Sequence, residues 1–92
     1  MGDAERDTAW AKQSLRDVDL RATAARVAVM KALASAGSPM SHANVANSLT
    51  DFGFDQSTIF RCLNELAGTG LVTRLDLGDQ VRRFELREAG GE

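Results

Sequence analysis

Apolar residues recur along this chain at two different periods, and the change of period divides it. Over the first 70 residues the spacing is helical. Trp10, Ala11, Leu15 and Val18 form a loose stripe that predicts a helix over 3–17. The run from Asp17 to Arg21 breaks the pattern. Thr23 is a good N-cap, because its hydroxyl can accept from a free amide of the first turn. Val27, Met30, Leu33 and Ala34 then line one helical face. Gly37, ahead of Ser38-Pro39, stops it.

Ser41 opens the next predicted helix. Met40 before it and Val45 within it suit a hydrophobic staple. Asn44 stands where a capping box prefers Glu, so the box reads as partial. Val45, Leu49 and Phe52 make the expected apolar stripe, and Gly53 ends it. Asp55 is expected to cap a helix over 56–67, its carboxylate accepting from the Thr58 amide. Gly68 and Gly70 are expected to end that helix. From residue 71 the period falls to two: Leu71, Thr73 and Leu75 alternate with Val72, Arg74 and Asp76. Beyond Gly78-Asp79 lies a second such run over 81–86, so a hairpin is predicted.

Helices followed by a hairpin, with a tight glycine turn between two short helices, predict a mainly α fold with a small β-hairpin. This is the winged helix-turn-helix. One domain is expected over 1–92. It divides into an N-terminal helix over 1–18, a helical core over 19–70, a wing over 71–86 and a tail over 87–92.

The helix over 56–67 has two unlike faces. Ile59, Cys62, Leu63 and Leu66 fall on one side, as in a helix packed on a core. Ser57, Arg61, Asn64 and Gly68 line the other, flanked by Thr58 and Glu65 on one edge and Phe60 on the other. The outward face is small, hydrogen-bonding and singly basic. In a helix-turn-helix the second helix enters the major groove by its N-terminal half, where Ser57, Thr58, Phe60 and Arg61 lie.

Charge changes this picture only when it is divided along the chain. The formal net charge is −2. Both ends are acidic, whereas residues 20–84 carry seven basic against five acidic side chains. A weakly basic centre permits contact with DNA at modest electrostatic affinity for one copy. Cys62 is the single cysteine, so no disulfide within the chain and no CxxC clip can form; its place on the apolar face makes it a core residue. A charged N-terminus without an apolar stretch is not a signal peptide, and no apolar run is long enough to span a membrane. A reducing cytoplasm is the compartment this implies. His42 is the single histidine, without a carboxylate or cysteine cluster, and reads as a surface structural residue. No nucleophile-base set, phosphate loop or carboxylate pair appears, so an enzyme is not expected.

These segments resemble a known family. DLRATAAR, SHANVANSL, STIFRCLNEL, GLVTR and RRFEL, in that order, are similar to the DNA-binding half of ferric uptake regulators over about residues 15–86. The resemblance implies a repressor that reads A·T-rich inverted repeats in double-stranded DNA. It implies that Arg21 enters an adjacent minor groove, that Phe60 meets a base and that Arg61 meets a phosphate. Phe60 stands where the family usually has Tyr. The resemblance also implies a homodimer and a divalent metal, iron or zinc, in a full-length member. The family's dimerisation domain with its metal ligands is missing from this sequence, so a domain of a longer regulator is expected, with no cofactor of its own. Glu85 matches a position that gives a carboxylate to the family's regulatory metal; the companion histidine before the third helix is replaced by Pro39.

The expected DNA-contacting set is therefore Arg21, Ser57, Thr58, Phe60, Arg61, Asn64 and, from the wing, Arg74, Gln80 and Arg82. Glu85 is a metal ligand only in a longer protein. The competing reading is a winged helix that binds protein and not DNA, which the net charge favours and the fold alone does not exclude.

Overall fold

The structure, a computed structural model, describes residues 8–76 and 78–87. The expected helical residues 3–7, the tail beyond residue 87 and Leu77 lie outside the described residues. Helix α1 spans Thr8–Asp17 and buries Ala11 and Leu15, four residues apart on one face. It ends without glycine. Asp19 takes the left-handed conformation at φ 64, and the Leu20 and Asp19 amides donate back to the Leu15 and Arg16 carbonyls at 2.9 and 3.0 Å. Aspartate tolerates that conformation better than most side chains, so the chain turns sharply there.

Helix α2, Ala24–Ala36, is the centre of the domain and packs against α1, both later helices and the sheet. The Thr23 hydroxyl accepts from the Arg26 amide at 3.3 Å, as its sequence predicts, and Gly37 at φ 69 terminates the helix. Strand β1 is only Met40–Ser41, and helix α3, His42–Ser48, follows at once. The α3 start is better closed than expected. Ser41 Oγ accepts from the Asn44 amide at 3.1 Å, and Asn44 Oδ1 accepts from the Ser41 amide at 3.2 Å, so the capping box is complete with Asn in place of Glu.

The stripe expected through Phe52 stops at Leu49. A 3₁₀ turn over Thr50–Phe52 follows α3 and shifts the helical phase. Phe52 is consequently 64% exposed, while Val45 and Leu49 are buried. It stacks on Phe54 with ring centroids 6.0 Å apart. Gly53 at φ 77 then lets the chain turn into helix α4, Gln56–Thr69. Asp55 stands at the α4 N-cap but makes no side-chain capping bond, contrary to expectation. Gly68 lies within α4, and Gly70 at φ 90 is the residue that ends it.

Strands β2, Val72–Asp76, and β3, Arg82–Leu86, form the predicted hairpin. The sheet has a third strand, however. Its order is β1-β3-β2, all antiparallel, with Met40 opposite Phe84 and Ser41 opposite Arg83. The wing therefore grips the start of α3 as well as its own partner. It also contributes to the core: Val72 and Phe84 are buried with Leu15, Val29, Met30, Ile59, Leu63 and Leu66. Removing a buried aromatic such as Phe84 costs about 3–5 kcal/mol, so the wing is part of what holds the helices together.

Candidate nucleic-acid interface

Helix α4 divides as its pattern predicts. Ile59, Cys62, Leu63 and Leu66 are buried against α2, α3 and β2, while Ser57, Phe60, Arg61 and Gly68 are exposed. Thr58 and Asn64 are half-buried. Asn64 is partly committed to its own helix, since its Nδ2 donates to the Phe60 carbonyl at 3.1 Å. Its Oδ1 keeps its acceptor capacity. Burial raises the Cys62 thiol above its ordinary 9.0, with the Glu65 carboxylate adding to the effect, so it stays a neutral core group near pH 7.

Phe60 does not stand alone. Its ring lies against that of His42, centroids 5.1 Å apart and tilted by 48°. His42 is the first residue of α3, and its Nε2 donates to the Gln56 carbonyl at 3.0 Å. That bond and the ring contact tie the start of α4 to the start of α3. Phe60 and His42 line an open cleft of about 250 Å³ together with Val81, Arg82 and Phe84. The start of β3 thus stands beside the exposed edge of α4.

The pleat of the hairpin sorts the wing residues. Side chains opposite each other on antiparallel strands share a face. Arg74 lies opposite Phe84 and Asp76 opposite Arg82, so Arg74 and Arg82 occupy the face that also carries Val72 and Phe84. Both arginines are exposed beyond the edge of the core. Arg83 points to the other face and is neutralised by Asp79, with Nη1 2.9 Å from one carboxylate oxygen and 3.1 Å from the other. The Val81 amide and Arg83 together hold the Asp79 carboxyl below the usual 3.8. Gln80, at φ 65, is exposed in this turn.

Arg21 is exposed in the bend between α1 and α2, and its backbone is held from two sides. Its carbonyl accepts from the Thr23 amide and from Arg26 Nη1, both at 2.9 Å. The same Arg26 side chain reaches α4, where Nε and Nη2 lie 3.1 and 3.0 Å from Glu65 Oε1. Arg26 is not singled out by the sequence, and His42 is expected only as a surface structural residue. The Arg26–Glu65 contact spans 39 residues, which no local pattern reveals. Among the described residues Arg21, Arg61, Arg74 and Arg82 have no ion pair, whereas Arg26 and Arg83 each have one.

Glu85 is exposed on β3. It borders a cleft of about 340 Å³ with Leu33, Gly37, Ser38, Thr73 and Arg87, none of which is a good ligand for iron or zinc. Among the described residues no three His, Cys, Asp or Glu side chains stand together. A single carboxylate does not make a closed metal site, so the residues present do not by themselves fit the metal that the family resemblance implies.

The sequence model of the ferric uptake regulator family matches residues 17–91. The chain belongs to the ferric uptake regulator family. Solved structures agree with this. The ferric uptake regulator from Pseudomonas aeruginosa with manganese is 30% identical, with a TM-score of 0.77 over 89% of this chain and 63% of that one. The ferric uptake regulator from Vibrio cholerae is 27% identical, with a TM-score of 0.77 over 85% of this chain and 62% of that one. The peroxide-sensing PerR from Streptococcus pyogenes shares the fold at 19% identity and a TM-score of 0.71. Comparison with curated protein sequences returns no match. The chain thus spans less than two thirds of the length of these structures. The winged-helix architecture is that of the family. No helix among the described residues is long and apolar enough to cross a membrane.

Proposed function

We propose that this chain is the DNA-binding domain of a metal-responsive transcriptional repressor. Residues 1–92 act as one winged-helix unit. Helix α4 lies in the major groove of an A·T-rich operator, with Phe60 and Ser57 towards base edges and Arg61 on a phosphate. Arg21 enters the neighbouring minor groove, and Arg74, Gln80 and Arg82 of the wing follow the backbone. Thr58 and Asn64 add hydrogen bonds at the margin of the helix. The observation that carries this reading is the sorting of the charges. Arg26 and Arg83 are neutralised internally, and Arg61 on α4, Arg74 and Arg82 on one face of the wing and Arg21 in the bend are exposed without an ion pair among the described residues, as are Lys12, Arg16, Lys31 and Arg87 away from that surface.

The inverted-repeat operator, the homodimer and the response to iron or zinc come with the family. Linking two such domains in a dimer raises the effective concentration of the second without any new contact, which suits a domain whose own electrostatic affinity is modest. Glu85 would act as a metal ligand only beside histidines supplied by further sequence. In the cell such a regulator works in the cytoplasm.

The test is an NMR titration of the labelled chain with an A·T-rich duplex at low salt. The amides of residues 57–64, Arg21 and the wing should shift together and return when salt is raised. A folded domain whose amides stay still there is not a DNA reader. One observation favours the protein-binding alternative: an open apolar groove of about 570 Å³ bordered by Ala28, Ala32, Met40, Leu49, Phe52 and Phe54. A protein-binding module would show no salt-linked affinity for duplex DNA.

A further inference from the structure

We propose that Arg26 is a positioning residue for DNA reading, holding Arg21 at a set distance from the recognition helix. This rests on the reading of Arg21 and α4 as DNA contacts. A helix brace would need only one half of what Arg26 does. Its Nε and Nη2 on Glu65 Oε1, at 3.1 and 3.0 Å, already join α2 to α4. The third contact goes elsewhere: Nη1 donates at 2.9 Å to the carbonyl of Arg21, a residue outside both helices. One planar guanidinium therefore connects the C-terminal half of α4 to the backbone of the bend.

The bend is fixed around this contact. The Thr23 amide donates to the same Arg21 carbonyl at 2.9 Å, and the Thr23 hydroxyl accepts from the Arg26 amide at 3.3 Å. Arg26 is the partly buried member, with its side chain 18% exposed, while Arg21 is exposed. The charge of Arg26 is already matched by Glu65, so it is poorly suited to a phosphate. The backbone it fixes carries an arginine whose charge is not matched. An unheld bend would lose backbone freedom on entering a minor groove, and that loss would oppose binding. A held bend fixes the spacing between the minor-groove step read by Arg21 and the major-groove bases read by α4. Lysine cannot substitute, because a point ammonium lacks the fork that spans two acceptors on different elements.

Selection from a randomised duplex library by this chain, followed by sequencing, reads the two contacts separately. The parent should enrich a core set by α4 and an A·T flank at one spacing from it. Arg26→Gln should keep the core and flatten the flank preference by about tenfold, the scale of one lost base-pair discrimination. Glu65→Ala frees the same guanidinium with less risk to folding and should flatten the flank in the same direction. Arg21→Ala combined with Arg26→Gln should be no flatter than Arg21→Ala alone, since Arg26 acts through Arg21. A flank that stays sharp in Glu65→Ala and in folded Arg26→Gln overturns the proposal. So does a parallel loss of core and flank, which would make Arg26 only a helix brace. A parent whose amides at residues 57–64 stay still in the low-salt duplex titration sinks the DNA reading itself, and this proposal with it.

Discussion

The two helices of the helix-turn-helix begin in opposite ways. Helix α3 starts fully closed: Ser41 and Asn44 satisfy each other's amides, and Ser41 also pairs with Arg83 in the sheet. Helix α4 starts open, because Asp55 makes no capping bond, and His42 meets its first turn at the Gln56 carbonyl and not at a free amide. The first helix turns Ser41, Asn44 and Ser48 onto its own backbone, sends His42 to α4, and contains no Asp, Glu, Lys or Arg. The second keeps Ser57 and Arg61 outward. One end is built to hold the domain together, and the other is built to leave donors and charge available.

This contrast can be broken in a definite order of effect. Leu63→Ala removes a fully buried side chain from the inner face of α4 and should cost about 2–5 kcal/mol in a thermal or denaturant melt. Arg61→Ala, on the outer face, should leave the melt unchanged. It should weaken duplex binding by about 1.5–3 kcal/mol, the scale of a lost charged hydrogen bond, and lower the salt slope by about one unit in an anisotropy titration. If Arg61→Ala destabilises the fold and spares binding, the two faces have been assigned the wrong way round.

The helix starts differ by less. Ser41→Ala should cost about 1 kcal/mol of stability, whereas Asp55→Ala should stay within about 0.5 kcal/mol in the same melt. Equal losses would mean that both helices are capped alike in solution. The smallest effect concerns the wing turn. The Asp79 carboxyl lies below its ordinary 3.8 in the folded chain, so its contribution is complete above that value and is lost as pH falls through the folded pKa. Amide exchange at Val81 should therefore speed up only in strongly acidic solution, and Asp79→Asn should remove that dependence.

Much of this was legible in residue order because the signals are local. Thr23, Gly37 and Gly53 mark their turns through their own chemistry, and the inner face of α4 follows from four apolar residues at helical spacing. The misses have physical reasons too. Phe52 looked like core because the α3 period was continued across a 3₁₀ turn that ends it. A strand of two residues, Met40–Ser41, has no alternation to detect. Asp55 is the residue type of an N-cap, yet a residue type does not specify whether the carboxylate turns inward. In the candidate site the charged positions could be named singly. Which of them are neutralised could not, since the Arg26–Glu65 pair and the Phe60–His42 contact depend on how α2, α3 and α4 pack.

The short strand β1 also bears on how the chain comes to be folded. Its partner β3 lies near the far end of the sequence, with Met40 opposite Phe84. Every contact among the helices can form earlier, while the sheet waits for the last strand to be synthesised. Until then the core lacks Phe84, and the start of α3 has no edge to pair with. Closing such a long loop is slow relative to helix formation. The nascent domain should therefore pass through a helical stage whose core is sealed only when β3 pairs with β1 and β2.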